Sequence, residues 1–151
     1  MTLIFVSMLA LAALCFLGGF FAGRSINKSI FKKIESGNIS YWEINYYAER
    51  ILNGVLKYNL NSKEKRIIKD ACSNIHIIVK DKPFDPYNNG KGYAKFFISE
   101  DYKIYFTSDG NWRKRFAKTL AFAFKYALKN DPDSSMTDTA WFSYVTRLVE
   151  D

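Results

Sequence analysis

Leu3–Gly23, LIFVSMLALAALCFLGGFFAG, is the stretch from which the rest of the chain is read. Its 21 residues carry no charge, and at about 1.5 Å per residue they match the roughly 30 Å hydrocarbon core of a bilayer. A cleaved signal peptide would want a basic start, a shorter apolar core and small residues at the cut. No Lys or Arg precedes the run, and cleavage after Gly23 would put Phe21 at the −3 position. The expectation is a transmembrane helix over residues 1–23. Arg24, Lys28, Lys32 and Lys33 flank it on the C-terminal side only, which by the positive-inside bias predicts a single-pass protein of the cell membrane with its domain in the cytoplasm. Cys15, Gly19 and Gly23 form a small-residue stripe suited to pairing with another membrane helix.

Residues 24–36 follow as a basic amphipathic juxtamembrane segment. Ile26, Ile30 and Ile34 share one helical face while Lys28 and Lys32 oppose it and Lys33 flanks them, an arrangement that draws the segment toward anionic lipid headgroups. Gly37-Asn38 ends it.

Residues 37–151 are expected to form one soluble globular domain. Ser40 and Glu43 have capping-box spacing, predicting a helix that buries Ile44, Ala48, Ile51, Leu52 and Val55. Asn61 and Glu64 start a second helix by the same logic, with Ile68, Ala71, Ile75, Ile78 and Val79 on its apolar face. Lys82–Gly90 is dense in turn formers and reads as a loop. Tyr93–Ser99 and Tyr102–Thr107 are rich in aromatic and β-branched residues, predicting a β-hairpin with Phe96 and Ile98 facing Ile104 and Phe106. The intervening Glu100-Asp101 is not a favoured two-residue turn. Asn111 precedes a helix over Trp112–Lys129, and a last helix runs from Asp138 to Val149, burying Trp141, Val145 and Leu148. The fold class expected is α+β and mostly helical: a transmembrane helix, then about four helices with one β-hairpin.

Aromatic residues make up 17% of the chain, too many for a disordered tail. Lys and Arg number 22 against 15 Asp and Glu, a net charge of +7 that favours anionic surfaces. The only cysteines, Cys15 and Cys72, fall in different parts of this plan, so both are expected as free thiols.

The most specific surface feature lies on the Trp112–Lys129 helix, which contains no acid. Lys114, Lys118, Lys125 and Lys129 align away from the core with Arg115 beside them and Phe122 and Tyr126 on the flank, a surface for an anion or an acidic partner. The partners this plan implies are the bilayer, its anionic headgroups, another membrane helix or an acidic protein; nucleic acid is disfavoured.

Motifs of chemistry are weak. Lys91-Gly92-Tyr93-Ala94 matches half of an RNA-binding strand motif, with Lys95 and Ile98 replacing its later aromatics. Asn89-Gly90-Lys91-Gly92 lacks phosphate-loop spacing. Cys72 and His76 stand at i, i+4, which on a helix would offer two metal ligands or a nucleophile and base, but His76 is the only histidine. Asp131, Asp133 and Asp138 lack the ligand pattern of a calcium loop. No catalytic residue, metal or cofactor is assigned, and the expected function is an anchored binding or regulatory module without catalysis. Two alternatives remain: a membrane-anchored hydrolase or envelope-facing enzyme using paired acids among Asp81, Asp85, Glu100, Asp101 and Asp109, and a membrane-tethered nucleic-acid binder.

Overall fold

Ser40 and Asn61 begin the first two helices; the expected capping box forms at Asn61 with Glu64, whereas Ser40 bonds Trp42 rather than Glu43. The computed structural model describes residues 30–128 and 138–150. In α1, Tyr41–Leu56, the Ser40 hydroxyl accepts from the Trp42 amide at 3.2 Å. In α2, Ser62–Cys72, the box is reciprocal: Asn61 Oδ1 accepts from the Glu64 amide at 2.8 Å and Glu64 Oε1 from the Asn61 amide at 2.9 Å. Glu64 is consequently a buried acid whose carboxylate serves the helix end.

Four strands accompany the helices: β1 Lys33–Glu35, β2 His76–Lys80, β3 Phe96–Ile98 and β4 Lys103–Thr107. They form one mixed sheet in the order β1-β2-β4-β3, with β1, β2 and β4 parallel and β3 antiparallel at the edge. The pair α1 and α2 is the crossover between parallel β1 and β2, the kind of connection that parallel strands require. After β4 come α3, Trp112–Leu128, and α4, Asp138–Arg147.

Alternation in the strands divides the sheet into two unlike faces. Ile77 and Val79 of β2 and Ile104 and Phe106 of β4 are buried on one face, where Phe106 stacks on Phe116 at 4.9 Å and on Trp112 at 6.2 Å. This is the face under α3. The core continues into α1 through Ile44, Ala48 and Ile51 and into α4 through Trp141, whose indole donates to the Ala121 carbonyl at 2.9 Å. On the other face Phe84 and Tyr87, from the loop after β2, lie against Tyr105 and Phe97 at 5.5 and 5.3 Å.

The structure corrects the expected fold in three places. Among the described residues no helix is long and apolar enough to cross a membrane; the longest, α3, has 17 residues and carries Arg113, Lys114, Arg115, Lys118 and Lys125. A single-pass topology, the cell-membrane location and the transmembrane element of the fold class are therefore not supported. Leu3–Gly23, with Cys15, Gly19 and Gly23, lies outside the described residues, as do Arg24, Lys28 and Ile26.

The second correction concerns the mostly helical domain with a single hairpin. Helix α2 ends at Cys72, and the residues expected to continue it form β2. Ile75, Ile78 and Val79 suit helical spacing, but Ile75, Ile77 and Val79 suit strand alternation equally, and the second set is the buried one. β-Branched residues and pairing on both sides favour the strand.

Third, the juxtamembrane helix is replaced where it is described by β1, in which Ile34 packs on the core while Lys33 and Glu35 are exposed. Lys32 lies just before the strand, its amide donating to the Ile75 carbonyl at 3.0 Å.

The β3–β4 hairpin pairs Phe96 with Phe106 and Ile98 with Ile104, the two residues expected to face each one. Its turn uses three residues. Ser99 N donates to Lys103 O at 2.9 Å, Tyr102 N donates to Ser99 O at 3.1 Å, and Tyr102 takes the left-handed conformation at φ 63. A three-residue loop ending in one left-handed residue accommodates Glu100-Asp101 where a two-residue turn would not.

Helix α1 crosses α4 at Gly54, whose carbonyl accepts from the Tyr144 hydroxyl at 2.6 Å. A Cβ on Gly54 would meet Leu148 Cδ2 at 2.4 Å. Gly54→Ala is expected to lower the unfolding free energy by about 1–3 kcal/mol, and adding Leu148→Ala to recover part of that loss; urea unfolding of the three variants measures both.

Candidate interaction surface

Helix α3 owes its orientation to a turn over Ser108–Asn111, at which Arg115 is the central group. Its Nη1 donates to the Thr107 carbonyl at 2.8 Å, to the Asp109 carbonyl at 2.9 Å and to Asp109 Oδ1 at 3.2 Å. Thr107 Oγ1 donates to the same Oδ1 at 2.6 Å, and Lys95 Nζ stands 3.5 Å from Oδ2. The end of β4, the start of α3 and the residue preceding β3 are thus joined through one carboxylate. The Thr107 hydroxyl first, then the charges of Lys95 and Arg115, hold the Asp109 carboxyl below its ordinary value of 3.8. Arg115 consequently does not belong to the exposed stripe in which its sequence position had placed it.

With Arg115 withdrawn, the exposed positions of α3 are Lys114, Lys118, Phe122 and Tyr126, each four residues from the next. That spacing keeps them on one side of the helix. Lys125 is half-buried, and Lys129 lies outside the described residues. Phe122 stacks on Phe96 at 5.9 Å and touches Phe142 at 4.3 Å, yet 37% of it remains exposed. Lys118 Nζ lies 5.6 Å from the Phe96 ring centre, within reach of a cation–π attraction. Tyr126 meets the edge of Tyr102 at 5.6 Å. The stripe therefore runs beside β3, from Phe96 to the hairpin turn. Between them is a trough of about 220 Å³ lined by Ile98, Ser99, Glu100, Phe122 and Tyr126. The lysines and rings were legible in the sequence; the strand edge beside them was not, because no local pattern announces which strand ends a sheet.

The remaining sequence candidates are dispersed. Cys72 is in the core, where burial pushes its thiol up to about 12, so at neutral pH it is no nucleophile. The helix that would have aligned it with His76 ends at Cys72. His76 sits on the other face of the sheet, its Nε2 2.5 Å from Glu35 Oε2 across β1 and β2. Lys33 Nζ is 3.9 Å from the same carboxylate. Among the described residues no group of three His, Cys, Asp or Glu side chains is placed to hold a metal ion.

Three of the five acids of the hairpin region have separate partners. Asp109 holds the turn, Asp101 accepts from the Ser99 hydroxyl, and Asp85 Oδ2 accepts from the Gly90 amide at 2.5 Å. That Ser99 bond, before the charge of Lys103, lowers the Asp101 pKa. A general acid needs the opposite shift. Tyr93, in the half-matched RNA motif, is 74% exposed and lies before β3 rather than within it.

Two other surfaces went unread in the sequence. Trp42 and Tyr46, one turn apart on α1, are 77% and 58% exposed. Tyr46 also borders an open groove of about 560 Å³ between α1 and α4, with Arg50, Asn53 and Tyr144. Capping geometry accounts for where α1 starts but not for large rings left facing outward.

Because Asp101 and Asp109 are both depressed in the folded chain, the unfolded chain takes up protons first as the pH falls. The stabilisation they provide is present above pH about 4 and is lost below it. Asp109→Asn is expected to lower the melting temperature at pH 7 and to shrink the further drop between pH 5 and pH 2.5, both read by thermal circular dichroism.

Compared with models of known protein families, with curated proteins and with solved structures, the chain matches none.

Proposed function

We propose that this chain is an interaction module without catalytic chemistry of its own, and that it binds an acidic protein through the exposed stripe of α3. The observation that carries the reading is the stripe itself: Lys114, Lys118, Phe122 and Tyr126 exposed at four-residue spacing on a helix that contains no acid. Lysines at the rim of a contact steer an acidic partner and set its orientation. A ring already supported from beneath, as Phe122 is by Phe96 and Phe142, loses little conformational freedom on binding and suits the centre of a contact. The chain's charge of +7 adds a long-range attraction of the same sign.

The test compares two charge reversals of equal size. Lys114→Glu with Lys118→Glu alters the stripe, whereas Lys63→Glu with Lys69→Glu alters exposed positions of α2. With poly-glutamate as the probe, the stripe variant is expected to bind at least about tenfold more weakly, while the α2 variant stays close to the unaltered protein. Equal losses in both would mean that net charge alone is felt and would overturn the reading. Tighter binding of a single-stranded oligonucleotide than of poly-glutamate would overturn it in favour of nucleic acid.

A further inference from the structure

The free edge of β3 lies directly beside the α3 stripe, and its backbone is already set to pair. The Lys95 carbonyl accepts from Thr107 N and Ser99 N donates to the Lys103 carbonyl, both at 2.9 Å, while Phe97 opposes Tyr105. In an antiparallel ladder bonded residues alternate, so the amides and carbonyls of Phe96 and Ile98 point away from β4. Among the described residues they make no backbone hydrogen bond on that side. Two residues earlier the chain satisfies the edge itself: Ala94 and Phe84 exchange both bonds, Phe84 N to Ala94 O at 3.1 Å and Ala94 N to Phe84 O at 2.7 Å.

We infer that the edge of β3 receives an extended acidic segment of a partner protein as a fifth strand, laid between Phe96–Ile98 and the Lys114–Lys118–Phe122 side of α3. The inference rests on the proposed acidic partner and adds the way it binds. A strand there takes its hydrogen bonds from Phe96 and Ile98, and its alternate side chains face the helix. Of these helix-facing side chains, all on one face of the added strand, an acid meets Lys118 and an apolar residue enters the trough between Ile98 and Phe122. Charge complementarity selects the occupant: α3 lines the trough with Phe122 and Tyr126, carries the exposed Lys114 and Lys118 in the turns before them and has no acid, so the acids of the segment are drawn to the lysine end, away from Glu100 at the hairpin turn. The short strand and its lysine flank also fit the usual protection of an edge against self-pairing, and the same two features would admit a segment bearing the opposite charge.

The experiment uses the full chain and two labelled peptides of sequence Thr-Glu-Thr-Val-Thr-Glu-Thr, whose glutamates and valine share one face of a strand, one of the two methylated on alternate backbone nitrogens. The methylated peptide keeps its charge and loses strand hydrogen bonds. The expected result is binding of the plain peptide, about tenfold or more loss on methylation, and shifted, exchange-protected amide signals for Phe96 and Ile98. Equal binding of both peptides, abolished by the stripe reversal, would overturn strand addition while leaving the acidic-partner reading in place. Absence of binding by either peptide at millimolar concentration would overturn strand addition as well, and poly-glutamate binding then decides the reading beneath it. Perturbation of the Phe96 and Ile98 amides by an oligothymidylate but not by the peptides would assign the edge to nucleic acid and overturn the proposal.

Discussion

Burial of Phe106 beneath α3 is the constraint on which the other elements depend. It is fully buried in the second strand from the edge, with Phe116 and Trp112 of α3 stacked upon it. Trp112 in turn meets the edge of Tyr47 in α1 at 5.8 Å, and the far side of α3 receives Trp141 of α4 at the Ala121 carbonyl. One helix thus touches the sheet, the crossover and the C-terminal helix. Large rings in such a position contribute several kcal/mol each through the area they remove from water. With so small a sheet, no other element joins as many parts of the core.

The position of α3 also decides what its surface can do. Arg115 stands on the helix among lysines, yet three acceptors at the end of β4 draw it inward. Its loss from the exposed face leaves two lysines followed by two rings rather than a uniform run of cations. A uniform run would favour any polyanion; the mixed stripe next to an unpaired strand edge favours a polypeptide that has both charge and side chains to bury. The specificity of the proposed surface therefore comes from the corner that removes one arginine.

The acids illustrate how context divides residues of one type. Glu64 is buried and spent on a helix cap, Asp109 ties three chain segments together, Asp101 accepts from Ser99 in the hairpin turn, and Glu35 faces His76 across two parallel strands. Each has a partner that stabilises its charge or fixes its place. None of these four is paired with a second carboxylate in the manner that would separate two pKa values for acid and base chemistry.

What the amino-acid sequence determined by itself is written within a turn or two of chain. Ser40 and Asn61 mark helix starts, the alternation of Phe96, Ile98, Ile104 and Phe106 marks a hairpin with one buried face, and the acid-free periodicity after Asn111 marks α3 with Lys114 and Lys118 outward. Those signals are local, so reading them needs no knowledge of the remaining fold. Tertiary structure alone decided that Ile75–Val79 leaves helical geometry to lie between β1 and β4, that Lys33 pairs with His76 and His76 with Lys103, that Arg115 turns inward, and that β3 is the edge. Parallel pairing joins residues dozens of positions apart whose local patterns suit helix and strand alike, and only the packed sheet, by satisfying their backbone groups and burying one of two equivalent apolar faces, separates the alternatives.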